Sequence, residues 1–174
     1  MDHSQGPLGP GWLVALETSG LGETLRQSLW LYPLVEVLHI LGLALLVGSI
    51  VAFDLRLIGL HAGLPARALS RLLLPVAVAG FAMVVPTGLL LFVSEATALA
   101  GNPAFLVKIG LLVLALANIA LFHRGPGRQI HLWGGHRDGH PGGGKPPPAA
   151  RLAGAASLLL WVGVLAAGRL IAYL

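Results

Sequence analysis

The sequence predicts an all-α integral membrane protein: a four-helix bundle with an N-terminal amphipathic interfacial segment and a disordered-like loop between helices three and four. Three observations carry that prediction. Apolar residues make up 56% of 174 residues and charged residues 10%, against about 25% charged in a soluble domain. Four stretches reach the ~20 predominantly apolar residues needed to cross a hydrocarbon core of roughly 30 Å. The segments between them hold Gly, Pro and most of the arginines.

Composition also excludes. The chain has no cysteine, so disulfides, thiolate metal sites, iron–sulfur clusters and cysteine nucleophiles are ruled out. The net charge of +4 does not indicate nucleic acid, because the basic residues are neither clustered nor interleaved with aromatics. No Gly-rich phosphate loop, serine–histidine–acid set or nucleotide fingerprint is present.

The first residues, MDHSQGPLGPGW, lack a basic region followed by an apolar run, so no cleaved signal peptide is expected. Residues 1–28 read as a tail and interfacial segment, and 29–174 as the membrane domain. From Gly11 to Trp30, Trp12, Leu13, Leu16, Leu21, Leu25 and Leu29 recur at helical spacing, interrupted by Gly20 and Gly22. One or two short amphipathic helices on the membrane surface are expected there.

Helix one is expected over about 31–54, with Tyr32 at one interface and Asp54 and Arg56 marking the other. A short loop carrying Arg67 and Arg71 leads to helix two, about 72–98. Pro75 then falls in its first turn, while Pro86 lies mid-membrane and should kink the helix around Pro86-Thr87-Gly88. Asn102 is placed to cap helix three, about 104–123, with Pro103 at its first position. Residues 124–150 are dominated by Gly, Pro and charge and read as a mobile cytoplasmic loop. Helix four, about 152–173, closes the chain.

Basic residues set the expected orientation. Arg56, Arg67, Arg71, Arg124, Arg128, Arg137, Lys145 and Arg151 fall at one face; the short loop and segment at the other carry Arg26. The bias puts both termini on the non-cytoplasmic side of the membrane.

The functional candidates are ionisable groups inside the spans, which are costly there and usually face the protein interior. Glu36 and His39 on helix one, Thr87 and Glu95 on helix two, Lys108 on helix three and Arg169 on helix four fall in the outer half. The inner half holds little more than Ser49, Asn118 and Ser157. His39 suits an axial ligand to the iron of a haem b, Lys108 and Arg169 suit its propionates, and Glu36 is placed to orient His39 or Lys108. The competing structural reading makes Glu36, Lys108 and Arg169 a salt-bridge clamp or lets the two cations snorkel to headgroups. A di-iron site is excluded, since its Glu-x-x-His motif occurs once where two copies are needed. Copper would want more imidazole or thioether beside His39 than the single internal Met83 supplies. His131, His136 and His140 have a spacing that is a weak signal for a divalent metal.

The blocks LYPLVEVLHILGLALLVGSIVAFDLRLIGL, PTGLLLF, NPAFLVKIGLLVLALANIALFH and SLLLWVGVLAAGRLIAY resemble a bacterial family of four-helix integral membrane proteins of unknown function. A more distant similarity is to the membrane-embedded protoporphyrinogen oxidases and to the CopD-type copper-resistance and cytochrome b561-like bundles. The oxidase pattern implies haem binding that depends on His39 and Lys108. The chain carries Leu46-Val47-Gly48 where that pattern has a tryptophan, so the likeness implies the fold and leaves enzymatic activity open. The functional expectation is haem-type tetrapyrrole binding near the outer face, in the service of electron transfer. The alternatives are an accessory or scaffold subunit docking other membrane subunits or its own copies, and a copper or small-solute permease.

Overall fold

The computed structural model describes residues 9–60, 63–133 and 146–174, and every regular element among them is helical. Two short helices, α1 (Gly11–Glu17) and α2 (Gly20–Gln27), precede a long one, α3 (Leu31–Ile58). Then come α4 (Ala66–Ser94), the short α5 (Ala96–Gly101), α6 (Pro103–Arg124), a 3-10 turn (Pro126–Leu132) and α7 (Pro148–Leu170). The helices α3, α4, α6 and α7 are long and apolar enough to cross a membrane. Less than a third of each one's apolar window is buried within the chain, so most of that surface needs an apolar solvent, which lipid provides.

Helix α3 runs on past Asp54 and Arg56 and stops at Gly59, whose φ of 125° suits a residue without Cβ. The N–H groups of Gly59 and Leu60 both donate to the Leu55 carbonyl there. The terminal markers expected from sequence are therefore interior: Asp54 is 5% exposed and Arg56 2%. Arg56 Nε donates to the Leu64 carbonyl at 2.7 Å, tying down the turn into α4.

Helix α4 starts at Ala66 rather than near Leu72, because Pro65 ends the extended turn and good helix formers follow it. Arg67 and Arg71 thus ride on the helix, and Pro75 lies inside it. The helix continues through Pro86; the next residue, Thr87, turns its hydroxyl back to the Met83 carbonyl at 2.6 Å. At the other end Ser94 is drawn out of register. Its hydroxyl donates to the Leu91 carbonyl, while Arg26 donates to the Ser94 carbonyl at 3.0 Å. The chain breaks at Glu95 and resumes as α5, so the expected span to residue 98 is two helices. Asn102 caps α6 as its position predicts, its Oδ1 accepting from the N–H of Ala104 at 2.9 Å and of Phe105 at 3.3 Å.

Helix α3 lies between α4 and α7, and α6 packs on α7. The backbones of α4 and α6 stay apart. The closest approach is between α3 and α4: a Cβ on Gly80 would sit 2.5 Å from Leu46 N and 2.7 Å from the Gly42 carbonyl oxygen. Around that crossing Leu46, Val47, Ala77, Ala115, Trp161 and Val164 form the main core. A second cluster at the far end joins Leu57, Ala66, Phe122, Trp133 and Ala150. Part of the expected mobile loop is therefore ordered. Trp133 is 4% exposed, its ring lies edge-on to Phe122 at 6.3 Å, and its carbonyl accepts from Ala66 N–H.

The opposite, cap end is closed by α1, α2 and α5. Leu13 and Leu25 turn inward, whereas Trp12, Leu29 and Trp30 are exposed. Gly22 is required, since a Cβ there would strike the Glu17 carbonyl.

Candidate functional site

His39 sits on α3 where it faces the Pro86-Thr87-Gly88 stretch of α4. Its Nδ1 lies 2.9 Å from Thr87 Oγ1 and its ring presses on Gly88, where a Cβ would come within 3.1 Å of Cε1. Hydrogen balance assigns the tautomer. Thr87 Oγ1 stands 2.6 Å from the Met83 carbonyl oxygen, and two oxygens that close require the hydroxyl proton between them. Thr87 can then only accept from His39, so Nδ1 carries the proton. The lone pair of His39 is left on Nε2. A histidine whose other nitrogen is held by a hydrogen bond is the usual arrangement at a metal. The close approach of the ring accounts for a glycine at position 88, since the imidazole occupies the space of a side chain.

Lys108 on α6 is half-buried and lies against α7, its Nζ 3.9 Å from where a Cβ on Gly168 would stand. Its charge acts on His39, so the two groups share a layer across the bundle. Arg169 starts from the same level of α7 but turns outward to Tyr173, donating to its hydroxyl at 2.7 Å with the guanidinium 4.8 Å from the ring centroid. Glu36, one turn above His39, is exposed on α3, and Glu95 is exposed at the α4–α5 break. The orienting partner of His39 is thus Thr87 rather than Glu36. No set of three or more His, Asp or Glu side chains among the described residues is placed to hold a metal ion. His136, His140 and the side chain of His131 lie outside the described residues.

Sequence reasoning missed the larger feature, in the other half of the bundle. A cavity of about 410 Å³ opens between α4 and α6, with α3 and α7 behind it. Ser49 and Asp54 from α3, Asn118 from α6 and Ser157 and Trp161 from α7 all line it. Asn118 is spent on α7, its Nδ2 donating to the Ala153 carbonyl at 3.0 Å. Ser157 lies beside Asp54. Asp54 Oδ2 and Trp161 Nε1 are buried without a partner. A signal for Asp54 did exist: Leu46, Ser49, Ile50, Phe53, Asp54 and Leu57 follow helical spacing on one stripe, which places the carboxylate with the core.

At the cap end, Glu17 accepts from the Thr97 N–H at 2.8 Å and the Thr97 hydroxyl at 2.7 Å, and Arg26 lies 3.7 Å away. Burial works against the ionised carboxyl, but these donors and the arginine outweigh it and hold Glu17 below the usual carboxylate range. This cluster fastens α1 to α5 and reads as structural.

Comparison with known proteins finds no matching family model, no matching curated protein and no matching solved structure.

Proposed function

We propose that this is a membrane-embedded tetrapyrrole-binding protein, in which His39 would hold the iron of a haem b near the cap end. The observation that carries the reading is the His39–Thr87 hydrogen bond, which fixes the proton on Nδ1 and keeps the Nε2 lone pair for a metal. Lys108, in the same layer, is the residue to pair with an anionic edge of the cofactor. Arg169 would join it only by leaving Tyr173, and Glu36 stays at the rim. A bound haem would supply one-electron redox chemistry; the chain's own part is to present the imidazole in one tautomer and screen it behind Gly88 and Val84.

The orientation we propose puts the cap end outside the cytoplasm, with α1 and α2 lying in the interface on Trp12, Leu29 and Trp30. Exposed Arg67, Arg71, Arg124, Arg128 and Arg151 at the far end support it.

The test is an absorption spectrum of the detergent-purified protein before and after dithionite. A Soret band that sharpens and shifts on reduction in the wild type, and is lost in His39→Ala while the variant still inserts, is the expected result. A featureless spectrum from haem-replete cells, or unchanged pigment in His39→Ala, overturns the reading.

A further inference from the structure

We infer that the far-end cavity is a binding site for a lipid-soluble hydroxylated aromatic, of the phenol or hydroquinone class, entering from the membrane between α4 and α6. The assignment is independent of the tetrapyrrole, which belongs to the other half of the bundle.

Shape sets the first constraint. The cavity's volume, about 410 Å³, is within the roughly 300–1,000 Å³ of small-molecule sites. It opens sideways, because α4 and α6 do not pack on one another there and Leu74, Val78 and Leu116 on its rim are exposed. In a bilayer that rim meets acyl chains, so the ligand arrives from lipid and an apolar tail can remain there.

The lining sets the second. Three of the chain's five phenylalanines, Phe53, Phe81 and Phe122, converge on this cavity with Trp161. Phe53 and Phe122 meet edge to face, with centroids 6.2 Å apart. Aromatic faces and edges placed around one space favour an aromatic ring between them.

The polar atoms set the third, and they distinguish this site from a slot for a plain acyl chain. Asp54, 5% exposed, has a free Oδ2; Trp161, 1% exposed, has a free indole N–H. A buried polar group left without a partner is destabilising, so both groups favour a ligand that offers them one. A ligand hydroxyl is a donor and an acceptor at once. Both atoms lie behind the cavity wall, so a ring hydroxyl meets them as the side chains turn toward it, donating to Asp54 Oδ2 or accepting from Trp161 Nε1–H. A hydrocarbon chain relieves neither.

The probes are tritiated decylhydroquinone and its dimethyl ether, titrated anaerobically against the full chain in phosphatidylcholine nanodiscs. Saturable hydroquinone binding at least about 10-fold tighter than that of the ether is expected. Asp54→Leu and Trp161→Phe should each weaken it about 10-fold, with little effect on the ether. Equal affinity for the two probes, or no saturable hydroquinone binding, overturns the assignment; the first of these results would show that the hydroxyls are not recognised. Unchanged affinity in both variants overturns it as well. The comparison of the two probes on the wild type decides even if Asp54→Leu fails to fold.

Discussion

The two halves of the bundle handle buried polar groups in opposite ways. Toward the cap end His39 is only half-buried, yet Thr87 engages its Nδ1 and the Met83 carbonyl engages Thr87 in turn. Toward the far end Asp54 and Trp161 are almost wholly enclosed, yet each leaves a polar atom without a partner. About 15 residues of α3 separate His39 from Asp54, or roughly 22 Å along the axis. The contrast teaches that depth alone does not identify a site. A satisfied network fixes one tautomer and one rotamer, which suits a ligand-bearing imidazole. An unsatisfied pair beside a cavity retains binding capacity for something that enters from outside.

Changing the point where the halves meet should have the largest effect. Gly80→Leu drives a side chain into Leu46 N and the Gly42 carbonyl, at backbone that cannot yield cheaply. A loss of about 3 kcal/mol or more is expected, with both sites lost together, read by thermal unfolding in detergent. Gly110→Ala is the control, since nothing lies within 4 Å of its Cβ, and it should leave the melting temperature unchanged or slightly raised.

Thr87→Val tests the cap-end half alone. The shape is kept, but the Nδ1 partner disappears and the tautomer is no longer fixed. Retention of the pigment should fall about 10- to 100-fold in a haem titration, while hydroquinone binding is unaffected. Equal loss at both sites would mean that the two halves do not act independently.

Asn118→Ala does the reverse. It frees the Ala153 carbonyl and loosens α6 from α7 beside the cavity, for about 1 kcal/mol of stability. Hydrogen exchange should rise in the far-end turns of α6 and α7 and not around His39.

The smallest effect concerns the cap and depends on pH. Because Glu17 titrates below the usual carboxylate range in the folded protein, the unfolded chain takes up its proton first as pH falls. Its contribution is therefore complete at neutral pH and is lost as pH drops through the usual range to the depressed value. Fluorescence of the cap tryptophans between pH 6 and 3 should report loosening of α1 and α5. Glu17→Gln should loosen the cap by about 1 kcal/mol at pH 7 and abolish that pH dependence.

Much of the architecture was legible in the residues because membrane helices obey one strong rule: backbone groups in lipid must be satisfied within the segment. The apolar run opened by Asn102-Pro103 announces α6, and that boundary falls where expected, whereas α3 runs one turn past the expected end to Gly59 because Asp54 and Arg56 are taken into the interior. The limits of α4 were less legible, because Ala66 to Arg71 joins the helix through local propensity while its charges suggest a loop. Trp133 was illegible among glycines, since its anchor is Phe122, a contact made only in space.

For the polar groups the division is sharper. The sequence by itself determined that four apolar helices exist, that His39, Thr87 and Lys108 fall at one depth, and that no thiol chemistry is available. Depth follows from a rise of 1.5 Å per residue and needs no knowledge of neighbours. Tertiary structure decided which groups meet: Thr87 rather than Glu36 beside His39, Tyr173 beside Arg169, and Asp54 inside the bundle rather than at its edge. The physical reason is rotation. How a helix is turned about its axis depends on the small residues over which it crosses its neighbour, here Gly42 and Gly80, and that contact forms only when both helices are present.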